Sequence, residues 1–256
     1  MKQSQIECIT FLGIKINTIN YSDIFEIIRE KINGRHYICL TDVNNIINAS
    51  NDEQFHRAIN ESLMSIADGM PLAWYGKLVG FRRIERISGL ELMRRVLEDQ
   101  NEFKHFLLGD TNNTISRIIR IAKQVNPKIH IKGYSPPFKD KFNELDNEII
   151  FDKINNEKSD IIWVSFGGGK QDKWMHNNIN KLNRGVMIGV GAAFRFYTGD
   201  ILTPPKLIQK LGFQWFSRTL QQPRMLKKQL KSFPIFMFHF PWELIKARMR
   251  SRKYCA

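Results

Sequence analysis

Leu63-Met64-Ser65-Ile66-Ala67-Asp68-Gly69-Met70-Pro71-Leu72-Ala73-Trp74 holds a strand, a turn and the start of a helix in one short stretch. The apolar run Leu63 to Ala67 suits an extended, buried segment, and it ends on a carboxylate. Gly69 permits a sharp turn, and Pro71 is placed to open a helix in its first turn. Asp68 therefore falls at the carboxyl end of a strand. In an open α/β sheet that edge collects ligands, because the loops converge there and helix N-termini point their N–H groups outward. An Asp before a helix equally suits a capping role, and the rest of the chain has to separate the two readings.

Working upstream, Tyr37 to Thr41 is a short apolar strand that runs into Asp42-Val43-Asn44-Asn45, with a polar-faced helical stretch to about Asn60. Before it, Ile9 to Asn17 reads as a hairpin or short strand pair, and Ser22 caps a helix over residues 23–33 whose Phe25, Ile28 and Ile32 share one face. Downstream, a helix runs past Trp74 and Leu78, and a second one spans about Gly89 to Asp99. The same rhythm restarts at Phe103. Phe106-Leu107-Leu108-Gly109 is a strand and turn, residues 112–125 a helix, and 129–134 a strand. Residues 139–158 read as a loop with a short helix. Asp160 to Phe166 is a buried strand entering Gly167-Gly168-Gly169-Lys170-Gln171, and Gly185 to Ala193 is another strand with a small-residue turn. Alternating strands and helices indicate a largely parallel sheet covered on both faces.

A chain of 256 residues with 43% hydrophobic and 25% charged content has ample material for a folded core. No run approaches the ~18 to 20 apolar residues of a spanning helix, and the first residues lack the apolar centre of a signal peptide. Three scattered cysteines, Cys8, Cys39 and Cys255, fit a reducing compartment and have no metal-ligand spacing. The formal charge is +14, and residues 203–256 carry twelve Lys or Arg against Glu243 alone, so +11 of it lies in the last fifth of the chain. The body is nearly neutral and the tail is cationic. Pro204-Pro205 marks the change. Two basic amphipathic stretches, 206–231 and about 241–252, flank a segment with Phe233, Phe236, Phe238, Phe240 and Trp242.

Several chemistries are disfavoured. The histidines at 36, 56, 105, 130, 176 and 239 include no i, i+4 pair and no HExxH, which argues against a metal hydrolase. Ser65 and Ser165 lack a nucleophile-elbow context. No Asp-x-Asp occurs, so no carboxylate pair presents itself to hold a divalent metal on a diphosphate. The glycines of 167–169 bring backbone amides close to whatever binds there, as a phosphate site requires, but a Lys-Ser/Thr ending is missing; Gly189-Val190-Gly191-Ala192 lacks the third Gly of a dinucleotide fingerprint. Two such turns at strand ends of one sheet favour a nucleotide-like ligand. Arg86 and Gln171 are candidates for polar contacts with it. Asp68 is the best-placed acid or base, and a carboxylate general base suits transfer of a group to a hydroxyl. The tail's aromatics and cations match an interfacial helix on anionic lipid. Nucleic acid also demands Lys and Arg, yet no recognised nucleic-acid motif accompanies the charge. A non-catalytic membrane- or nucleic-acid-binding module is the alternative that these residues leave open.

Taken in order, Thr41 with Asn44 and Asn45, Asp68 to Trp74, Glu85 to Met93, Phe106 to Gly109, Gly169 to Trp174, Gly189 to Phe194, and Leu211 to Arg218 with Gln222-Pro223-Arg224 resemble the WecG/TagA/CpsF glycosyltransferases. The resemblance covers about residues 9 to 230. It implies an inverting transferase that moves a sugar from a UDP-sugar donor to a polyprenyl-diphosphate-linked sugar at the cytoplasmic face of the membrane, for cell-envelope or extracellular polysaccharide, without a metal or other cofactor. It implies Asp68 as general base, Thr41, Arg86 and Asn44 or Asn45 as pocket residues, and Gln171 as a donor-side contact. Arg218, Arg224 and Lys227 fall on the basic C-terminal appendage, which the resemblance implies reaches the lipid diphosphate. Four positions depart from the common pattern: Asp42-Val43 precedes Asn44, Asp110 follows Gly109, Asp172 follows Gln171, and Arg195 follows Phe194.

The expectation is an α/β protein with two Rossmann-like parallel-sheet regions, about 1–100 and 101–200, and a basic helical appendage from 201. Catalytic positions are Asp68, Thr41, Arg86 and Asn44. Donor-binding positions are Gly69, Pro71, Gly109, Gly169, Gln171, Gly189, Gly191 and Ala192, and acceptor positions are Arg218, Arg224 and Lys227. Expected partners are the UDP-sugar, the lipid-linked sugar and an anionic membrane surface, with no nucleic acid. Exposed tail aromatics equally suit a contact between copies of the chain, and the expected location is peripheral on the inner face of the cytoplasmic membrane.

Overall fold

A computed structural model describes residues 6–99, 103–204, 224–249 and 253–255. The fold is mixed α/β, and contacts divide it into two compact units. The first contains the described residues up to Ile24, those of Leu40–Ser88 and those from Leu202 onward; the second contains Phe25–Cys39 and Gly89–Ile201.

In the first unit the strands lie in the order β4 (Met64–Ala67), β2 (Ile14–Asn17), β1 (Ile6–Phe11), β9 (Lys253–Cys255). β2 and β4 are parallel, whereas β1 pairs antiparallel with both β2 and β9. This sheet is therefore mixed, with the hairpin turning at Leu12-Gly13. Helices α2 (Val43–Ala49), α3 (Glu53–Asn60) and α4 (Met70–Leu78) belong to the same unit. Their buried faces, carrying Ile46, Ile47, Phe55, Ile59, Leu72 and Tyr75, close one core with Phe11, Ile14 and Ile16.

The tail differs from its expected form. Most of the first basic stretch lies outside the described residues; from there one helix, α10 (Arg224–Met249), takes in the aromatic segment as well and runs through Pro234 and Pro241. An internal proline removes one backbone hydrogen bond and crowds the preceding turn. Both prolines lie on the exposed side, while Ser232, Phe236 and Glu243 are buried, with Phe240, Leu244 and Ala247 partly covered. That i, i+4, i+8 stripe packs on the core: Phe236 stacks on Phe11 at 4.7 Å between centroids, and Tyr75 meets Phe240 at 5.7 Å. Tertiary packing holds the helix where local propensity alone would break it. Another difference from the sequence reading is Cys8, which is disulfide-bonded rather than a reduced thiol.

In the second unit all pairings are parallel, in the order β6 (His130–Tyr134), β5 (Lys104–Gly109), β7 (Ile161–Ser165), β8 (Gly185–Gly189), β3 (Arg35–Thr41). The last two residues of β3, Leu40 and Thr41, belong to the first unit. β7 reads Ile-Ile-Trp-Val-Ser with four consecutive buried residues, as a strand covered on both faces requires. Around this sheet are α5 (Gly89–Asp99), α6 (Asn112–Val125), α7 (Glu144–Asn156), α8 (Lys170–Asn178) and the short α9 (Ala193–Tyr197). The segment read as a loop with a short helix is largely α7, 13 residues long. A capping box starts it, Asn143 accepting from the Asp146 N–H and Asp146 from the Asn143 N–H.

Candidate active site

In the first unit three loops meet at the carboxyl end of β4. Asp68 follows the strand directly and is half-buried. Its N–H donates to the Thr41 carbonyl at 2.9 Å, which ties the end of β4 to the end of β3. The N-cap of α4 is Gly69 rather than Asp68, and Pro71 sits in the helix's first turn. The N-cap position thus belongs to Gly69, and the turn and helix expected at Gly69 and Pro71 are what the backbone shows. Thr41 is fully buried, with its hydroxyl 2.9 Å from that of Ser65. Ser65 is anchored in turn, its N–H donating to Asn17 Oδ1 at 2.7 Å.

Asp42 caps α2 by accepting from the Asn45 N–H at 2.8 Å. The two asparagines that follow diverge. Asn45 turns its amide back to the Leu40 carbonyl at 3.2 Å, whereas the carboxamide oxygen of Asn44 is buried with no hydrogen-bond partner among the described residues. An orphaned buried acceptor costs free energy, of order 1–3 kcal/mol, which makes it a natural position for a ligand donor. Arg86 is half-buried on the segment after α4. The neighbouring amides hold that segment: Glu85 N–H donates to Ile19 O at 3.2 Å, and Ile87 N–H donates to Ala67 O at 2.9 Å. Ala67 immediately precedes Asp68, so backbone bonds bring Thr41, Asp68 and Arg86 to one edge.

In the second unit the corresponding edge is built from turns. Gly167 and Gly169 have φ of 90° and 67°, left-handed values that glycine tolerates without strain, and Gly169 is the N-cap of α8. Gln171, on the first turn of α8, is buried, and its Oε1 accepts from the Gly191 N–H at 3.0 Å. Ser165 at the end of β7 donates to the Gly191 carbonyl at 2.7 Å. A Cβ on Gly189 would come within 2.8 Å of the Gln171 amide nitrogen, so the missing side chain is what admits Gln171. Asp172 is fully buried and accepts from the Gly169 N–H at 3.3 Å. Ala192 is the N-cap of α9, and its carbonyl accepts from the N–H groups of Arg195 and Phe196. Gly109 closes β5 against the Ser165 carbonyl.

Two of the positions that depart from the common pattern pair with one another. The Arg195 Nε donates to Asp110 Oδ2 at 3.0 Å, and the other oxygen of that buried carboxylate accepts from the Thr111 N–H and the Thr114 hydroxyl. Trp174, in the Gly169-to-Trp174 motif, is buried core, its indole N–H donating to Asn147 at 2.8 Å.

Arg218 lies outside the described residues, and Arg224 and Lys227 fall in the first turns of α10. The sequence reading passed over Ser65, Ser165 and Asn17 as site-shaping groups. A polar residue at a strand's carboxyl end was the available signal for Ser165, and a lone hydroxyl inside an apolar strand the signal for Ser65.

A half-buried carboxylate at one strand end, and glycine turns opening helices at others, lie where α/β enzymes collect their ligands. The chain matches the glycosyl transferase WecG/TagA/CpsF family over residues 9–253 and belongs to it, so it is a glycosyltransferase. Similar curated proteins include the N-acetylglucosaminyldiphosphoundecaprenol N-acetyl-beta-D-mannosaminyltransferases of Staphylococcus aureus strains MW2, NCTC 8325 / PS 47 and MRSA252. Each is 29% identical over 210 residues, covering 80% of this chain and 78% of its own.

Proposed function

We propose that this glycosyltransferase moves a sugar from a UDP-sugar to a polyprenyl-diphosphate-linked sugar, with inversion, at the cytoplasmic face of the membrane. The observation that carries the reading is Asp68: a half-buried carboxylate at a strand's carboxyl end, with the helix cap assigned to Gly69 and the Arg86 segment bonded to the residue before it. In the proposed reaction the acceptor hydroxyl attacks the anomeric carbon while its proton passes to Asp68. The bond from the anomeric carbon to the diphosphate oxygen breaks, and UDP leaves with that electron pair. Thr41, held by Ser65, and Asn44, whose oxygen has no partner among the described residues, are assigned to orienting hydroxyl groups. Arg86 is assigned to the negative charge that develops on the leaving diphosphate.

The turns at Gly109, Gly169 and Gly189 to Ala192 are assigned to the donor, with Gln171 and Ser165 setting the shape of the last of these. Arg218, Arg224 and Lys227 are assigned to the lipid diphosphate. No divalent metal enters this scheme, and a chelator is expected to leave the rate unchanged. The similarity to enzymes whose names specify an undecaprenyl-diphosphate-linked acceptor supports the acceptor class.

The membrane reading rests on α10. The helix is apolar on both faces: one packs into the core, while Phe238 is 81% and Trp242 60% exposed on the other side. Among the described residues no helix is long and apolar enough to cross a membrane. A helix with an unpartnered apolar face and flanking cations suits the plane of the interface. The deciding experiment is transfer of radiolabelled sugar to a prenyl-diphosphate acceptor by wild type and Asp68→Asn. The variant should lose ~10² to 10⁴-fold in kcat with little change in donor KM; an Asn enzyme that keeps most of its rate removes the base.

A further inference from the structure

We infer that the lipid-contacting surface is a footprint of two helices, α4 together with α10, rather than the C-terminal helix alone. This rests on the membrane reading above. Its ground is the outer face of α4. Trp74, Lys77 and Leu78 are spaced i, i+3, i+4 and all exposed, Trp74 at 45% and Leu78 at 49%, while Leu72, Ala73, Tyr75 and Gly76 are buried. An indole, an ammonium and an isobutyl group on one side of a nine-residue helix that contains no acid match the chemistry of an anionic bilayer surface.

α4 and α10 touch at two points. On their buried sides the Tyr75 hydroxyl donates to the Glu243 carbonyl at 3.2 Å, and at the exposed end of α4 the Arg248 guanidinium donates to the Leu78 carbonyl at 3.3 Å, which brings the exposed Leu78 beside the last turns of α10. The exposed Ile245 and Met249 lie on the same last turns of α10 as Arg248. Positive charge continues past the end of α4 at the exposed Arg82, and the one acid of α10, Glu243, is buried with Lys246 beside it. The occupant is therefore a lipid surface bearing negative headgroups.

The placement has a consequence for the reaction. Asp68 precedes α4 by two residues, so a bilayer in contact with Trp74 and Leu78 meets the helix that carries the candidate base at its head. α10 also lies against α2, the helix that carries Asn44. The two-helix footprint thus fixes the catalytic edge of this unit relative to the plane in which a lipid-linked acceptor is held.

The test is flotation of the full-length protein with vesicles of phosphatidylcholine and phosphatidylglycerol. It compares wild type, Trp74→Ser/Leu78→Ser and Phe238→Ser/Trp242→Ser, with melting temperatures measured to exclude unfolding. Each pair should lower the partition coefficient by roughly tenfold or more, in line with the loss of two interfacial apolar groups. Brominated acyl chains should quench a fluorescence component that Trp74→Phe removes. Transfer to a vesicle-embedded long-chain acceptor should fall in the α4 pair, while transfer to a short-chain, detergent-free acceptor stays at the wild-type rate. Undiminished flotation of the α4 pair beside a released α10 pair overturns the two-helix footprint and leaves the membrane reading intact. Wild type that fails to float overturns both. A dimer that the α4 substitutions dissociate, with no effect on flotation, makes the occupant a second copy and overturns the proposal.

Discussion

The candidate ligand edges of the two units are built on opposite plans. In the first, polar side chains gather at strand ends: Asp68 half-buried at the end of β4, Arg86 half-buried on a segment bonded alongside, and the Asn44 oxygen with no partner among the described residues. In the second, side chains are turned inward to shape backbone. Gln171 and Ser165 both bond Gly191, Asp172 bonds Gly169, and Asp110 bonds Thr111, Thr114 and Arg195. The first plan suits proton transfer, where one functional group at one position decides the rate. The second suits binding of an anionic group by fixed backbone dipoles, where the shape of the turn matters more than any one side chain. Substitutions at the first edge should therefore act on kcat, and those at the second on KM and stability.

The largest separation is expected for Asp68→Asn, with its loss of ~10² to 10⁴-fold in kcat and a nearly unchanged donor KM and melting temperature. A fall in donor affinity of the same size would erase the distinction between the edges. Next comes Gly109→Ala. The glycine has φ of 108°, and a Cβ would lie 2.7 Å from the Ser165 carbonyl oxygen, a backbone atom that has little room to yield. Roughly 3 kcal/mol of stability should be lost, read as a lower midpoint in urea. An Ala variant as stable as wild type would show that the turn is not held as tightly as its geometry implies. Smaller again is Gln171→Ala, which frees the Gly191 N–H. Donor KM should rise by about tenfold, the equivalent of one net hydrogen bond to a buried group, with kcat within a factor of two. A kcat effect larger than the KM effect would make Gln171 part of the chemistry rather than a support for the turn.

The same contrast explains what the sequence disclosed. Asp68-Gly69-Met70-Pro71 was legible because each residue constrains the backbone in its own way: an apolar run before, a glycine at the turn, a proline in the first helical turn. β7 was legible because Ile161 to Val164 is an unbroken apolar run that only a buried strand or helix accommodates. The pairings were not legible. Nothing local shows that Ser165 and Gln171 both reach Gly191, or that Asp110 meets Arg195, since these contacts span 20 to 85 positions and exist only once the sheet has formed. The choice between Asn44 and Asn45 was likewise undetermined until the backbone put one amide within reach of the Leu40 carbonyl. The continuous helix through Pro234 and Pro241 was not legible because propensity is a local quantity, whereas the energy that carries α10 through them comes from Phe236 on Phe11 and Tyr75 near Phe240.

The smallest expected effect concerns the stability of the second unit in acid. His105 on β5 is buried, its Nδ1 accepts from the Trp163 indole N–H at 3.4 Å, and its Nε2 has no partner among the described residues. A cationic ring would need a proton on Nδ1, facing another donor, in a site without compensating charge. Burial accordingly pushes the imidazole down from 6.5 to about 3. The unfolded chain, with its ring near the ordinary value, binds a proton that the folded chain refuses. Stability is therefore complete above about pH 6.5 and falls as pH drops toward 3, at a limiting slope of about 1.4 kcal/mol per pH unit for one proton. Between pH 7 and 5.5 the contribution is roughly 1 kcal/mol by the same linkage. Urea midpoints of wild type and His105→Asn across this range isolate it, because Asn retains an acceptor for Trp163 and does not titrate. The difference between the two proteins should narrow as pH falls. A constant difference from pH 7 to 5.5 would mean that the ring protonates in the folded state as readily as in the unfolded one, and that acid stability in the second unit is set elsewhere.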